Sequence, residues 1–146
     1  MDFKELAKRG TDFLGTQYPV IGGAMSWIST PKLVAAISNA GGFGVYACGH
    51  NTVENIEKDI NEIRKLTSKP FGVNLITISP TIKEQMECIC RLKPSHIVFA
   101  GRLPKEDLVI QAKKHNTKIM TFAPNLPAAK RMISYGVDAL IIEGHE

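Results

Sequence analysis

Six short apolar segments rich in β-branched residues recur along this chain at nearly constant intervals, and this spacing constrains the fold more than any other feature. With one marker residue per segment, the intervals are 25, 28, 25, 22 and 21 residues. Each interval leaves room for one helix and two short loops, which is the pattern of consecutive β-α units. The markers are Val20, Val45, Val73, Val98, Met120 and Ile141.

The segments are apolar on both faces and do not alternate between apolar and polar residues. Strands of a parallel sheet have this pattern when helices cover both sides. The sequence therefore predicts the α/β class. We expect strands at Tyr18–Ile21, Gly44–Ala47, Phe71–Leu75, Ile97–Ala100, Lys118–Ala123 and Ala139–Glu143.

Caps and glycines delimit the helices between these strands. A polar residue before an apolar run, or a proline in the first turn, marks a helix start, and glycine marks a helix end. Thr81 and Glu84 could alternatively form a capping box. We expect an initial amphipathic helix at 2–9, then helices starting at Thr30-Pro31, Thr52, Ser79-Pro80, Pro104 and Asn125.

Two architectures accommodate six such units. An open doubly wound sheet suits 146 residues, whereas a TIM (β/α)8 barrel normally takes about 250, with about 200 near the lower limit. A doubly wound domain usually closes with a helix, but this sequence stops at Glu146, directly after a strand. We expect residues 1–146 to be the N-terminal portion, about six β-α units, of one barrel domain truncated after the sixth strand. The doubly wound sheet is the alternative.

Composition and charge limit the kinds of partner that this chain is expected to bind. The chain is 44% hydrophobic with a formal net charge of +4, and it has no apolar run near the ~18–20 residues of a membrane helix. It also has no Lys/Arg block, and its three cysteines cannot form a full disulfide framework. We expect a cytoplasmic protein that binds neither nucleic acid nor membrane.

Ligands bind at the carboxyl ends of the strands in both architectures. The first such loop contains Gly22, Gly23, Ala24 and Met25, whose backbone a ligand could approach closely, although a tight turn explains the glycines equally well. Asn74 ends an apolar strand and needs a partner, either a ligand or a neighbouring backbone group.

The histidines divide by position. His50 and His145 follow strands and could transfer protons, while His96 precedes a strand and is expected to be structural. His115 ends a helix and is expected at the surface.

The cysteines suggest no metal site. Cys88 and Cys90 are two apart on a helix and form a poor metal pair, so we expect no metal. Cys48 follows the second strand and is interpreted as a small buried thiol. The Gly41–Gly44 cluster joins a helix end to a strand start, the reverse of a dinucleotide-binding fingerprint.

Several segments together resemble the nitronate monooxygenase (2-nitropropane dioxygenase) family, which includes the flavin-dependent enoyl-acyl-carrier-protein reductases. The resemblance covers essentially the whole chain. It is carried by Tyr18–Pro31, Leu33–Gly44, Lys69–Asn74, Ala128–Ala139 and Ile141–Glu146.

This resemblance implies an FMN-binding barrel in which Gly23, Ala24 and Met25 place backbone groups near the flavin and Asn74 contacts it. Two features differ from the family pattern. Many relatives have Gln-Gly-Gly-Met where this chain has Gly22-Gly23-Ala24-Met25, and the family's substrate histidine belongs to a segment that would follow Glu146. The catalytic residue is therefore not assigned.

The implied function is that of an FMN-dependent oxidoreductase acting on alkyl nitronates. An enoyl-acyl-carrier-protein reductase that takes electrons from NAD(P)H is the alternative, and these residues do not separate the two. In either case the 146 residues alone are expected to be inactive. An alternative of another class is an inactive partial barrel that self-associates through the open edges of its first and sixth strands.

Overall fold

The computed structural model describes residues 3–144, which form six parallel strands in one sheet, each paired with the next strand along the chain. The strands are β1 (Ile21–Gly22), β2 (Phe43–Ala47), β3 (Phe71–Ile76), β4 (His96–Ala100), β5 (Lys118–Phe122) and β6 (Ala139–Ile141). The helices are α1 (Phe3–Leu14), α2 (Pro31–Asn39), α3 (Val53–Leu66), α4 (Ile82–Leu92), α5 (Glu106–Lys114) and α6 (Leu126–Ser134).

The strand order decides between the two predicted architectures. A doubly wound sheet reverses its order at a switch point, whereas a barrel adds strands in chain order. The observed order β1-β2-β3-β4-β5-β6 has no reversal. The six strands form a half-barrel of the TIM type, so the barrel prediction is confirmed and the doubly wound alternative is wrong.

Both faces of β2 to β5 are largely buried, as the sequence pattern predicts, whereas β1 and β6 at the two edges are partly exposed. On β3, Val73 and Leu75 pack under the helices, so Asn74 between them faces the barrel interior. A second apolar cluster fills that interior. Its buried members are Leu14, Phe43, Val45, Val98 and Met120.

The first strand is shorter and later than the predicted Tyr18–Ile21. The Tyr18 amide donates to the Gly41 carbonyl, and the Val20 carbonyl accepts from the Phe43 amide. Pro19 has no N–H to donate. Only Ile21 and Gly22 therefore pair in register with β2.

Helix boundaries agree with prediction to within a few residues, with three local differences. The first helix continues to Leu14, beyond the predicted residue 9, while Asp2 lies outside the described residues. Asn125 caps α6 through its side chain, as predicted, and Thr52, near which a helix start is predicted, caps α3 in the same way. Thr30 and Thr81 occupy N-cap positions without a side-chain capping bond, so the capping box is not formed.

The end of α1 plugs the amino-terminal end of the barrel. The Phe13 carbonyl accepts hydrogen bonds from His96 Nε2, at 3.0 Å, and from the Lys118 ammonium. The His96 ring also meets Phe13 and Phe43 edge to face and is only 2% exposed. His96 is thus the structural residue that its position predicts.

His96 makes stability depend on pH. Burial lowers its pKa from 6.5 to about 4, because the charged imidazolium is poorly solvated there. Between these values the unfolded chain binds a proton that the folded chain excludes. The free energy of unfolding should therefore be highest above pH 6.5 and fall as the pH drops toward 4.

Urea denaturation between pH 7 and pH 4 measures this slope. His96→Gln keeps a donor for the Phe13 carbonyl but does not titrate, so we expect a flatter dependence. The matched control His115→Gln, at an exposed helix end, should keep the parent slope. Equal slopes in all three proteins would contradict the assignment.

Gly44 sets the distance between α2 and β2. A Cβ at this position would lie 2.4 Å from the Val34 carbonyl oxygen, a backbone atom of the helix. We expect Gly44→Ala to lower the free energy of unfolding by at least the ~1–3 kcal/mol typical of overpacking. Thermal unfolding with Gly23→Ala as control checks this, because nothing lies within 4 Å of a Cβ on Gly23. A Gly44→Ala protein as stable as the control would show that the packing tolerates the methyl group.

Candidate functional site

The loop after β1 presents two free backbone donors. The amide groups of Gly23 and Ala24 donate to no acceptor within residues 3–144, and Gly23 is exposed with open space beside it. The Met25 amide is different, because it donates to Ser29 Oγ at 2.9 Å, and Ser29 Oγ donates to the Gly23 carbonyl at 3.1 Å. The buried Ser29 hydroxyl therefore holds the loop and leaves two donors available.

Gly22 has a packing reason to be glycine. A Cβ at this position would lie 2.4 Å from Ile37 Cδ1 on α2. Of the four loop residues singled out from the sequence, Gly22 is thus explained by helix packing. Met25 lies at the exposed end of the loop, with 46% of its surface accessible.

Asn74 lies in the barrel interior, next to this rim, and is 6% exposed. Its Nδ2 donates to the Val98 carbonyl of β4 at 3.0 Å, which is the structural partner that the sequence left open. No donor within the described part of the chain bonds its Oδ1. The amide is therefore held in one orientation by β4 and retains an acceptor.

Trp27 and His50 form a contact that the sequence did not predict. Their rings stack nearly parallel, with centroids 5.3 Å apart and an interplanar angle of 4°. Trp27 is 84% exposed and has a φ of +61°, which is strained for a bulky side chain. His50 lines the cavities on the helix side of this rim and not the cleft above β4 to β6.

A polar network lies beside the stacked rings, between α2 and α3. The Tyr46 hydroxyl donates to Asp59 Oδ2 at 2.6 Å and accepts from Asn51 Nδ2 at 2.7 Å. Burial first, and then the Asp59 carboxylate, raises the pKa of Tyr46 well above its usual value. The Tyr46 hydroxyl therefore stays protonated near neutral pH, and its two hydrogen bonds help to fix the loop after β2.

Gln85 on α4 supports the same loop from the other side. Its Nε2 lies between the carbonyls of Asn51, at 2.9 Å, and Cys48, at 3.4 Å. These two acceptors fix the orientation of the amide, so its buried Oε1 has no partner in residues 3–144. A contact of this kind, between a helix and a loop that is distant in the sequence, leaves no signal in a single sequence.

A cleft of about 940 Å³ opens above the carboxyl ends of β4, β5 and β6. Its walls include the apolar side chains of Leu103, Phe122 and Ile141, and its charged residues are Arg102 and Glu143. The cleft and the loop after β1 belong to the same rim, because all six strands are parallel. This rim combines backbone donors, an amide acceptor and apolar walls, which suits a planar heteroaromatic ligand.

The cysteines that the sequence analysis considered are buried and are not exposed at this rim. Cys48 is fully buried, burial raises the pKa of its thiol, and the thiol donates to the Asn74 carbonyl. Cys88 and Cys90 are buried in the core under the helices. Within residues 3–144 no three His, Cys, Asp or Glu side chains converge as a metal site would require. His145 lies outside the described residues.

The described helices bear on the prediction that the chain does not bind a membrane. None of those in residues 3–144 combines the length and the apolar character needed to cross a bilayer.

Comparison with known proteins places this geometry in a family context. The nitronate monooxygenase family model matches residues 7–91. A nitronate monooxygenase of Paraburkholderia phytofirmans is 28% identical over 171 aligned positions, which cover 91% of this chain and 47% of that protein. The (3aS,4S,5R,7aS)-5-hydroxy-7a-methyl-1-oxo-octahydro-1H-indene-4-carboxyl-CoA dehydrogenase of Rhodococcus jostii is 32% identical over 136 residues, 93% of this chain and 38% of that protein.

A solved structure agrees with the sequence matches. FabK from Thermotoga maritima superposes with a TM-score of 0.90 and 34% identity, covering 93% of this chain and 43% of that protein. The chain thus spans about half or less of the length of these relatives. The family's members are oxidoreductases. Because the family model matches more than half of the 146 residues, this chain belongs to the nitronate monooxygenase family.

Proposed function

We propose that this chain forms the FMN-binding portion of an oxidoreductase that oxidises alkyl nitronates. The observation that carries the proposal is the pair of free amides at Gly23 and Ala24 on the same rim as the free Oδ1 of Asn74. A flavin ring has carbonyl and ring-nitrogen acceptors as well as one N–H donor. The donors and acceptor of this rim match both requirements.

The residues present therefore fit FMN, although Gly22 and Met25 fit it less directly. The Met25 amide is already bonded to Ser29, and Gly22 packs closely against Ile37 of α2. Gly23, Ala24 and Asn74 would hold the cofactor. When bound, FMN supplies the redox chemistry, and the protein supplies orientation and electrostatics.

The chain's own residues would orient the ligand. Val98 fixes the Asn74 amide, and Ser29 fixes the loop after β1, so neither group has to reorganise on binding. We assign no catalytic residue within 3–144. We expect the 146 residues alone not to turn over substrate.

A second candidate is an NAD(P)H- and FMN-dependent enoyl-acyl-carrier-protein reductase. The likeness to FabK, an enoyl-acyl-carrier-protein reductase of this family, supports it, and so does the relative named as a carboxyl-CoA dehydrogenase. The cleft above β4 to β6 has room for a substrate larger than a small nitronate. In both candidates the partner is a small molecule, and we place the protein in the cytoplasm, where its three buried cysteines would remain free thiols.

A candidate of another class is an inactive partial barrel that self-associates as a homo-oligomer. Val20 and Ile21 at the β1 edge are 62% and 42% exposed, and Ile142 after β6 is 84% exposed. Apolar strand edges of this kind favour pairing between chains.

The experiment that separates these candidates uses protein purified from the complete reading frame that contains this chain. We expect a flavin absorbance spectrum, FMN released on denaturation, and oxygen consumption with alkyl nitronates. Turnover of an enoyl thioester with NAD(P)H, and none with nitronates, would favour the reductase. No flavin even after FMN addition, together with self-association in light scattering, would support the inactive barrel and overturn both enzymes.

Asn74 allows a direct test of the cofactor site. Replacing it with Ala removes the free Oδ1, and we expect FMN to bind about 5- to 30-fold more weakly, the equivalent of about 1–2 kcal/mol for one hydrogen bond. Quenching of flavin fluorescence measures the Kd.

Two further variants control for stability. Asn74→Ser removes the amide with a smaller loss of volume, and Asn61→Ala alters an exposed residue of α3. Unchanged FMN affinity in folded Asn74→Ala and Asn74→Ser proteins would remove Asn74 from the site.

A further inference from the structure

A small cavity of about 210 Å³ lies on the helix side of the functional rim, between α2 and α3. It shares no lining residue with the cleft above β4 to β6, and none of the groups assigned to FMN lines it. It is therefore distinct from the candidate cofactor site. We call it the Asp59 cavity, and the side chains that decide its chemistry are Trp27, Tyr46, His50, Asn51 and Asp59.

The Asp59 carboxylate is held in place by hydrogen bonds. The Tyr46 hydroxyl donates to Asp59 Oδ2 at 2.6 Å, and Asn51 Nδ2 donates to the same hydroxyl at 2.7 Å. Tyr46 is only 2% exposed, so packing fixes this donor. Asp59 Oδ1 accepts no hydrogen bond within residues 3–144, and neither ion pair in that part of the chain includes Asp59. The carboxylate thus has a fixed position and an oxygen available to a ligand.

The lining of the Asp59 cavity determines which charge its ligand carries. No lysine or arginine among the described residues lines it, so an anion would meet the Asp59 carboxylate without compensation. A neutral ligand would leave the carboxylate partly desolvated and unpaired, which costs free energy. A metal ion would lack ligands, because no three His, Cys, Asp or Glu side chains converge in residues 3–144. An organic cation meets none of these objections.

The aromatic side chains of the cavity favour a guanidinium group among the organic cations. The Trp27 and His50 rings, stacked with centroids 5.3 Å apart, both line it. A guanidinium is planar, stacks on aromatic rings and pairs with a carboxylate through two parallel N–H donors, whereas an ammonium is a point charge. The volume is below the ~300–1,000 Å³ of typical small-molecule sites, so the cavity takes one functional group and not a whole cofactor.

The backbone of Trp27 supports a role in binding. Its φ of +61° is strained for a bulky side chain, yet that side chain is 84% exposed. Strain of this kind is concentrated at ligand clamps and active sites. Core packing does not explain this backbone, whereas holding the indole against His50 at the cavity does.

We propose that the Asp59 cavity binds the guanidinium group of a small molecule, with the Asp59 carboxylate as its ion-pair partner and the Trp27 and His50 rings as an aromatic wall. Tyr46 is a positioning residue, because it acts through the carboxylate. The proposal goes beyond the proposed redox function and does not depend on it, since none of the groups assigned to FMN belongs to the cavity.

Calorimetric titration with methylguanidinium chloride, at constant ionic strength, tests the proposal on the holoenzyme from the complete reading frame. We expect saturable binding that methylammonium, tetramethylammonium and K⁺ at the same concentrations do not reproduce. Asp59→Asn keeps the size of the side chain but removes its charge, and it should weaken binding about 10- to 100-fold, the range for losing bonds to a charged group. Trp27→Leu should weaken binding about 2- to 5-fold, as for an exposed cation–π contact.

Glu57→Gln is the matched control. Glu57 is an exposed carboxylate on the same helix, α3, and it does not line the cavity, so the Kd should stay unchanged. Trp27 is the one tryptophan of the 146 residues. The part of the methylguanidinium-induced fluorescence change that Trp27→Phe removes is therefore a second readout of contact with the rings.

No saturable binding, equal binding of methylammonium or K⁺, or an unchanged Kd in a folded Asp59→Asn protein would overturn the proposal. The comparison of cations uses the parent protein, so it decides the question even if Asp59→Asn does not fold. A protein that binds methylguanidinium but never binds flavin would leave this site standing while the proposed function fails. The reverse result, bound flavin and turnover without methylguanidinium binding, would overturn the guanidinium site alone.

Discussion

Parallel pairing in chain order is the constraint on which the position of every functional group depends. Because β1 to β6 each pair with the preceding strand, all their carboxyl ends meet at one rim and all their amino ends meet at the other. The second rim is closed by α1, whose Phe13 carbonyl bonds to a neutral His96. The structural histidine and the candidate ligand groups are thus separated by the length of the strands.

At the functional rim, internal hydrogen bonds hold the candidate ligand groups in place and still leave donors or an acceptor available for a ligand. Ser29 fixes the loop after β1 yet leaves the amides of Gly23 and Ala24 unbonded, and Val98 fixes Asn74 through only one end of its amide. Groups held this way need little reorganisation on binding, which is what a cofactor or substrate site requires.

The fold was predictable because its signals are local and repeated. Runs that are apolar on both faces predicted the parallel strands, and Thr52 and Asn125 marked two helix starts correctly. The shortened β1 was not predictable, because it depends on a bond between Tyr18 and Gly41. Pattern alone identified Asn74 as a residue needing a partner, but it could not tell that one end of the amide would remain free.

The contacts between loops could not be predicted from the sequence, for a related reason. Trp27 meets His50, and Thr77 meets Arg102, across one full β-α interval of sequence. A single sequence carries no pairing information over that distance. The resemblance to a family supplied roles for Gly23, Ala24, Met25 and Asn74, whereas the geometry shows that the Met25 amide is already occupied.

Hydrogen–deuterium exchange of the protein from the complete reading frame, with and without FMN, tests the central claim most directly. The amides of Gly23 and Ala24 have no acceptor within the described chain and are expected to exchange rapidly without the cofactor. We predict that FMN slows exchange in peptides spanning these two residues, while peptides around His96 at the opposite rim stay unchanged. Slowing at the His96 rim, or no change at Gly23 and Ala24 in a protein that binds FMN, would contradict the account.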